Sequence, residues 1–461
     1  MIDIDQKIDA AGLAPGIEQL WELSGPKVKH LCLGYSADAG TPVHTVAGRY
    51  RPKGWTEWTE GFLYGWAILQ YDATGDSEAL QLGRDRTRDR MASHLTHTGV
   101  HDHGFNNVST FGNLRRLMLE GRMAADPWEL SFYEQSLKVS GAVQAGRWTS
   151  TADGGGYIHS FNGPHSLFCD TIRSVRSLML AHQLGHALMG ENDEPISLLE
   201  RAIQHADTTA EYVVYYGEGR DIYDIRGRVA HESIFNVTDG NYRAPSTQQG
   251  YSPFTTWTRG LAWVITGYAE MLEFVAELED QELEPFGGRD RIEATMLRAA
   301  RASSDFYIEH TPTDGIPYWD TGAPGLARMG DYLSRPAQPD NPYEPVDSSA
   351  AAIAAQGLLR LGRYLAQRDD PKGSQYTQAG FTVLNTLLGE PYLSTDPDHE
   401  GLLLHAVYHR PRGWDHDGKQ AGVPSGESVM WGDYHLVELA LYVQRLAEDA
   451  PYYTFFGGGA S

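Results

Sequence analysis

Apolar residues recur at i, i+3, i+4 and i+7 along almost the whole chain, the spacing that gathers them on one face of a helix. The pattern predicts twelve helices, over 4–24, 58–74, 77–95, 105–121, 126–148, 165–189, 195–215, 257–280, 287–311, 347–367, 374–391 and 432–447. The connections between them alternate. Those after the second, fourth, sixth, eighth and tenth helices are short and carry turn residues, as in Thr74-Gly75-Asp76, Ala125-Asp126-Pro127 and Asp369-Asp370-Pro371. The rest are long: 25–57, 96–104, 149–164, 216–256, 312–346 and 392–431. Helical hairpins joined in this way collect every long loop at one end of the molecule. Helices that follow long loops are rich in small residues and aromatics, as in Gly61 to Trp66 and Ser348 to Ala355, whereas Arg84 to Arg90 shows the charged character of those that follow short turns. Small residues admit close backbone approach, so the first set is expected inside and the second outside. The expected fold is all-α, an (α/α)6 barrel of six helical hairpins forming one domain over 1–461, with its site at the long-loop end. An open solenoid would need a fixed-period repeat, and none is visible beyond the hairpin rhythm.

Composition narrows the partners. The 461 residues carry 37 Lys+Arg against 61 Asp+Glu, a formal charge of −24, which argues against nucleic acid or an anionic membrane surface as partner. With 41% hydrophobic and 11% aromatic residues, the chain is suited to a large core rather than to disorder. Its two cysteines, Cys32 and Cys169, form no CxxC motif and fit a reducing compartment. The acidic, amphipathic N-terminus does not read as a signal peptide. No apolar run approaches the roughly 18–20 residues of a membrane span. The expectation is a cytoplasmic protein with a frayed Phe455-Phe456-Gly-rich tail. The oligomeric state is left open.

Unusual polar and aromatic residues cluster in the long loops. Trp55 and Trp58 flank the start of an inner helix, where they serve either as platforms for sugar rings or as a hydrophobic staple. His101-Asp102-His103 precedes the fourth helix; Asp102 reads as an N-cap or a site carboxylate, and no third ligand at usable spacing supports a metal. The Gly-rich loop 153–164, which includes Phe161, lacks the GK[ST] of a phosphate loop. Asp170 is the hardest to explain structurally. It stands among apolar neighbours inside the expected sixth helix, where desolvation would raise its pKa toward proton-donor chemistry, unless it simply pairs with Arg173. Arg259, in the first turn of the eighth helix, opposes the helix dipole and needs an anion: a neighbouring Asp or Glu, or a substrate carboxylate. Asp347 reads as an ordinary cap, and the basic run from Arg410 to Lys419 as a solvated loop or a contact for a sulfate or second sugar.

Together these segments resemble the unsaturated glucuronyl hydrolases, glycoside hydrolase family 88. The resemblance is carried by Trp58-Thr59-Glu60-Gly61-Phe62, His101 to Phe105, Asp170, Gln249-Gly250-Tyr251, Trp257 to Trp263, Asp347 to Ala355 and Glu427 to Tyr434, in family order over about 58–434. It implies an (α/α)6 barrel with no metal or other cofactor. The implied substrate is a small oligosaccharide with a 4,5-unsaturated uronic acid at its non-reducing end. The implied reaction is hydration of the C4=C5 vinyl ether, after which the hemiketal opens and expels the partner sugar. By the same resemblance Asp170 is the acid/base and Asp102 the second essential carboxyl. His231, Gln249 and Trp257 fall at substrate-contacting positions, Trp58, His101 and Phe161 contribute to the sugar pocket, and Arg259 matches a motif arginine. The chain departs from the family pattern at Phe161, where tryptophan is usual, at Gln248, often histidine, and at Thr171-Ile172-Arg173. The stretch between Asp170 and His231 is also longer than usual. Rival readings are the related family 105 rhamnogalacturonyl hydrolase, a conventional inverting glycosidase, and a non-catalytic carbohydrate-binding barrel.

Overall fold

The hairpin rhythm closes into a ring. In the computed structural model, which describes residues 1–35, 39–413 and 426–457, the inner helices are Glu60–Thr74, His103–Asn107 continuing to Asn113–Leu119, Thr171–Ser174 with Arg176–Gln183, Thr258–Ala276, Ser348–Ala366 and Met430–Ala447. The last packs against the first and completes the circle. Outside lie Ala10–Gly34, Ser77–Arg90, Pro127–Ala145, Leu198–Tyr212, Gly288–Glu309 and Lys372–Leu387. This is the expected (α/α)6 barrel.

Burial follows the two compositions. The inner helix Thr258–Ala276 is buried almost throughout. The charged outer helix Ser77–Arg90 buries only Ala79, Gly83 and Thr87, a stripe at i, i+4 and i+8. Small inner residues do the work foreseen for them: a Cβ on Gly61 would lie 2.3 Å from the Asn106 carbonyl oxygen of the neighbouring helix.

Two expectations need correction, and small strands add to the helical frame. The first helix runs Ala10–Gly34 rather than 4–24; Asp9 caps it by accepting the Gly12 N–H at 2.7 Å. Its buried stripe of Leu20, Trp21, Val28 and Leu31 continues across Pro26, and this burial offsets a helix-interior proline that costs about 3 kcal/mol. Short antiparallel pairs stiffen the long loops, among them Thr41–Val46 with Arg49–Lys53, and Ser166–Phe168 with Glu232–Phe235 and Tyr242–Ser246. The tail is docked rather than frayed as far as it is described. Phe455 lies under the Arg176 guanidinium at 5.3 Å and Phe456 packs on Phe274, while Gly458 to Ser461 lie outside the described residues.

Inside the ring sits a charged network. Arg173 Nε and Nη2 each donate to Glu270 at 3.2 Å, and Nη2 also reaches Gln356 at 3.0 Å and Glu438 at 2.9 Å. Its Nη1 contacts His435, and Arg176 donates to Glu270 at 3.3 Å and to the Gly104 carbonyl at 2.8 Å. Tyr434 and Tyr453 both donate to Glu438 at 3.1 Å. Burial works against both carboxylates, yet the guanidiniums hold Glu270 and Glu438 below the ordinary range.

Candidate active site

Two junctions build the site. In the first, Ser166–Phe168 pairs with Glu232–Phe235, Cys169 N–H donates to the His231 carbonyl at 2.9 Å, and the chain turns helical at Asp170. Asp170 therefore stands at a strand-to-helix junction, not within a continuous helix 165–189. The short apolar run Leu167-Phe168-Cys169 suits strand and helix alike, and a partner more than sixty residues away decides it. In the second junction Asp102 occupies the N-cap place of His103–Asn107, but its side chain makes no capping bond. The helix beyond it widens into a π-turn at Val108–Gly112.

The junctions are locked together. A Cβ on Gly104 would sit 1.9 Å from the Ser174 carbonyl oxygen, so only glycine allows this contact. Gly104 N–H donates to Ser174 Oγ at 3.0 Å, and Gln144 Nε2 donates to the His101 carbonyl at 2.8 Å. Arg147 clamps the adjoining loops through the carbonyls of Thr98, His159 and Ser160.

Between them opens a cavity of about 430 Å³, at the long-loop end, lined by Trp58, His101, Asp102, Phe161, Asp170, Gln249, Trp257 and Arg259 together with neighbours. Eight of the nine residues singled out from sequence meet here. The ninth, His231, is not among the lining residues. It packs behind Phe168 and Trp257, at ring distances of 4.5 and 4.9 Å, and its Nδ1 accepts the Gln248 N–H at 3.0 Å. Burial pushes its imidazole down to about 4, so it stays neutral.

His101 joins the two carboxyls. Its Nε2 lies 3.1 Å from Asp170 Oδ1 and 4.0 Å from Asp102 Oδ1, while its ring lies nearly parallel to Phe161 and edge-on to Phe168. Arg173 makes no pair with Asp170, because the axial network holds it. The electrostatics reverse one expectation. Burial opposes the Asp170 charge, but hydrogen-bonded His101, aided by the Arg259 charge, brings the carboxyl below the usual range. Asp102 is the carboxyl that is raised, by burial and by the charge of Asp170. Burial likewise disfavours a charged His101, yet the two carboxylates raise it overall.

Arg259 lies between Trp257 and Trp431, its guanidinium 4.6 and 4.9 Å from the ring centres. Its two terminal nitrogens meet four acceptors: Asp347 Oδ2 at 2.9 Å, the Val407 carbonyl, Gln249 Oε1 at 3.1 Å and the Tyr408 carbonyl at 2.7 Å. The anion that this first-turn arginine needs is Asp347, whose other oxygen caps Ser348–Ala366. Arg259 thus orients Gln249 and the 407–408 backbone, in keeping with the first of the two readings its sequence position left open, a neighbouring acidic residue.

Several lining residues were not singled out as site residues: Lys53, Glu57, Phe105, Phe168, Trp263 and Tyr408. Glu57 was legible as the acid between Trp55 and Trp58, and burial raises its carboxyl. Lys53 comes from a strand end that helical periodicity does not register, and its ammonium lies 4.4 Å from the Tyr408 ring centre. Arg412, from the basic run, also lines the cavity; the remainder of that run to Lys419 lies outside the described residues. His103 turns away to Ser140 and the His97 carbonyl, and among the described residues no three His, Cys, Asp or Glu side chains are grouped to hold a metal.

No family model matches the chain. It is 26% identical over 393 residues to an unsaturated glucuronyl hydrolase of Formosa agariphila, covering 85% of this chain and 80% of that protein. It is 27% identical over 421 residues to an unsaturated chondroitin disaccharide hydrolase of Streptococcus pyogenes, covering 88% and 86%. Among solved structures, the fold matches the unsaturated glucuronyl hydrolase of Bacillus sp. GL1, described as responsible for the degradation of glycosaminoglycan. There the TM-score is 0.70 at 22% identity, over 94% of this chain and 97% of that one. The resemblance read from the motifs therefore extends along most of the chain.

Proposed function

We propose that this chain is a glycoside hydrolase of the unsaturated glucuronyl hydrolase type, releasing a 4,5-unsaturated uronic acid from the non-reducing end of small oligosaccharides. The observation that carries this reading is the grouping of Asp102, His101 and Asp170 in one aromatic-walled cavity of about 430 Å³, sized for a sugar ring or two rather than a polymer.

The chemistry follows from the substrate. A vinyl ether is electron-rich at C4, so protonation there leaves a cation at C5 that the ring oxygen stabilises. Water adds at C5, and the hemiketal opens and expels the linked sugar. Asp170, the carboxyl hydrogen-bonded to His101, delivers the proton to C4 and as carboxylate takes one from the incoming water. Asp102 holds ring hydroxyls and, by its own charge, favours a protonated neighbour. Trp58, Phe161 and Trp257 offer faces to the sugars, Gln249 is aimed by Arg259, and His231 buttresses Phe168 and Trp257. Phe161, half exposed at the mouth, gives the linked sugar a smaller platform than tryptophan would.

Cytoplasmic residence belongs to the same proposal. It is supported by two free, buried cysteines, and no described helix is long and apolar enough to cross a membrane. The test is a panel of unsaturated disaccharides from chondroitin, heparin, gellan, ulvan and pectin, followed by loss of the conjugated near-ultraviolet absorbance. Saturated glucuronides run in parallel. Turnover of unsaturated substrates alone supports the proposal; equal rates on saturated linkages contradict it.

A further inference from the structure

Asp170 poses a problem for the reaction just proposed. A proton donor must carry a proton, yet in the free cavity this carboxyl is held ionised by the imidazole beside it. The geometry around His101 resolves it. Nε2 is the only nitrogen of His101 engaged: it faces Asp170 Oδ1 at 3.1 Å and Asp102 Oδ1 at 4.0 Å. Nδ1 is buried and has no hydrogen-bond partner among the described residues. An imidazolium here is held from one side only. Two guanidiniums near the pair are already committed, Arg147 to three carbonyls and Arg259 to Asp347, Gln249 and two carbonyls, while Lys53, Glu57 and Arg412 line the same cavity. His231, on the Asp170 side, is neutral.

We infer that His101 stores the proton that Asp170 delivers, and that substrate binding moves it across the 3.1 Å contact from Nε2 to Oδ1. The inference rests on the hydration reading above. In the open cavity, water supports the ion pair of imidazolium and carboxylate. A bound uronate expels that water and places a negative charge beside Asp170. Separated charges lose more on desolvation than the neutral pair does, and the added anion raises the proton affinity of the carboxyl. The Asp170 hydroxyl then turns about its C–O bond toward C4. The π electrons of C4=C5 form the new C–H bond, water oxygen bonds to C5, and the water proton passes to the Asp170 carboxylate. Product departure rehydrates the pair, and the proton returns to His101. One proton enters C4 and one is recovered from water, so the pair ends as it began. His101 is a positioning residue in this scheme: it acts through Asp170, and its role is to keep Asp170 supplied up to a pH at which an isolated carboxyl would be empty.

The experiment compares pH profiles of kcat and KM for wild type and His101→Gln on an unsaturated disaccharide. Glutamine retains a hydrogen-bond donor toward Asp170 but holds no exchangeable charge. The expected result is a kcat about 10–100-fold lower at neutral pH, with KM changed by less than about 3-fold. The alkaline limb should move toward acid by about one pH unit or more, with activity partly recovered at low pH. An even loss at every pH, with the limb unmoved, overturns the inference and marks His101 as structural. Wild type that processes saturated and unsaturated glucuronides alike defeats the hydration reading instead, so the two failures are distinct. Should His101→Gln not fold, the imidazole ¹⁵N titration of wild type and Asp170→Asn decides. A His101 midpoint at least about one pH unit lower in Asp170→Asn supports the shared proton, and an unmoved midpoint contradicts it.

Discussion

Two sets of buried charges lie within one ring of helices, and they differ in how fully they are answered. In the axial network, Arg173 and Arg176 face Glu270 and Glu438, with His435, Gln356 and two tyrosines around them. Charge is matched and both carboxylates stay ionised. At the mouth, Asp102 and Asp170 share one imidazole, because the nearby guanidiniums of Arg147 and Arg259 are spent elsewhere. That imbalance leaves one carboxyl raised and one lowered beside a histidine on which a proton can rest. A charge-matched network is suited to holding helices in place; an under-provided one is suited to moving protons.

The sharpest way to test this contrast is Asp170→Asn. Turnover of an unsaturated disaccharide should fall by about 10³-fold or more, with the melting temperature nearly unchanged, since no structural partner beyond His101 is lost. Arg173→Met should do the opposite. It strands Glu438 in the interior, leaves Glu270 with Arg176 alone, and should lower stability by about 3–5 kcal/mol in denaturant titration. The fraction that stays folded should keep its kcat. Arg259→Ala bridges the two regions. It frees Gln249 and leaves Asp347 buried without the guanidinium that pairs with it, so a loss of about 2–4 kcal/mol should accompany a raised KM. Unchanged stability would show that its four contacts are idle.

The smallest effect is in pH and stability. Asp102 has a folded-state pKa above its unfolded one, so the stability it lends is fully present in acid and is lost as pH rises past the ordinary aspartate value of about 3.9. Asp102→Asn should therefore melt about 1–3 °C higher at neutral pH while losing activity. Glu270 and Glu438 carry the opposite sign: their contribution is present above about pH 4.3 and fails on acidification. Glu438→Gln should flatten that acid limb of the thermal profile.

Much of this was legible in the chain because the signals are local. Small residues at Gly61, Gly65 and Ser348 to Ala355 marked the inner ring, and alternating loop lengths set the end on which the site lies. Eight cavity residues were found through motifs in those loops. What stayed hidden depends on distant partners. The strand Ser166–Phe168 exists through Glu232–Phe235, and Arg173 looked like a mate for Asp170 only because its true partners, Glu270 and Glu438, lie 97 and 265 positions away. The pKa of Asp170 was misjudged for the same reason. Desolvation is readable from apolar neighbours in sequence, whereas an imidazole 69 positions earlier is not. The docking of Phe455 and Phe456 onto Arg176 and Phe274 likewise needs the closed ring.

The most direct measurement follows the proton itself. An unsaturated disaccharide turned over in heavy water, sampled within the first turnovers, should give a product with a single deuterium on one face of C4. Asp170→Asn should give none at a comparable rate. Product released without solvent deuterium at C4, or labelled equally by the Asp170→Asn variant, would contradict proton delivery by this aspartate.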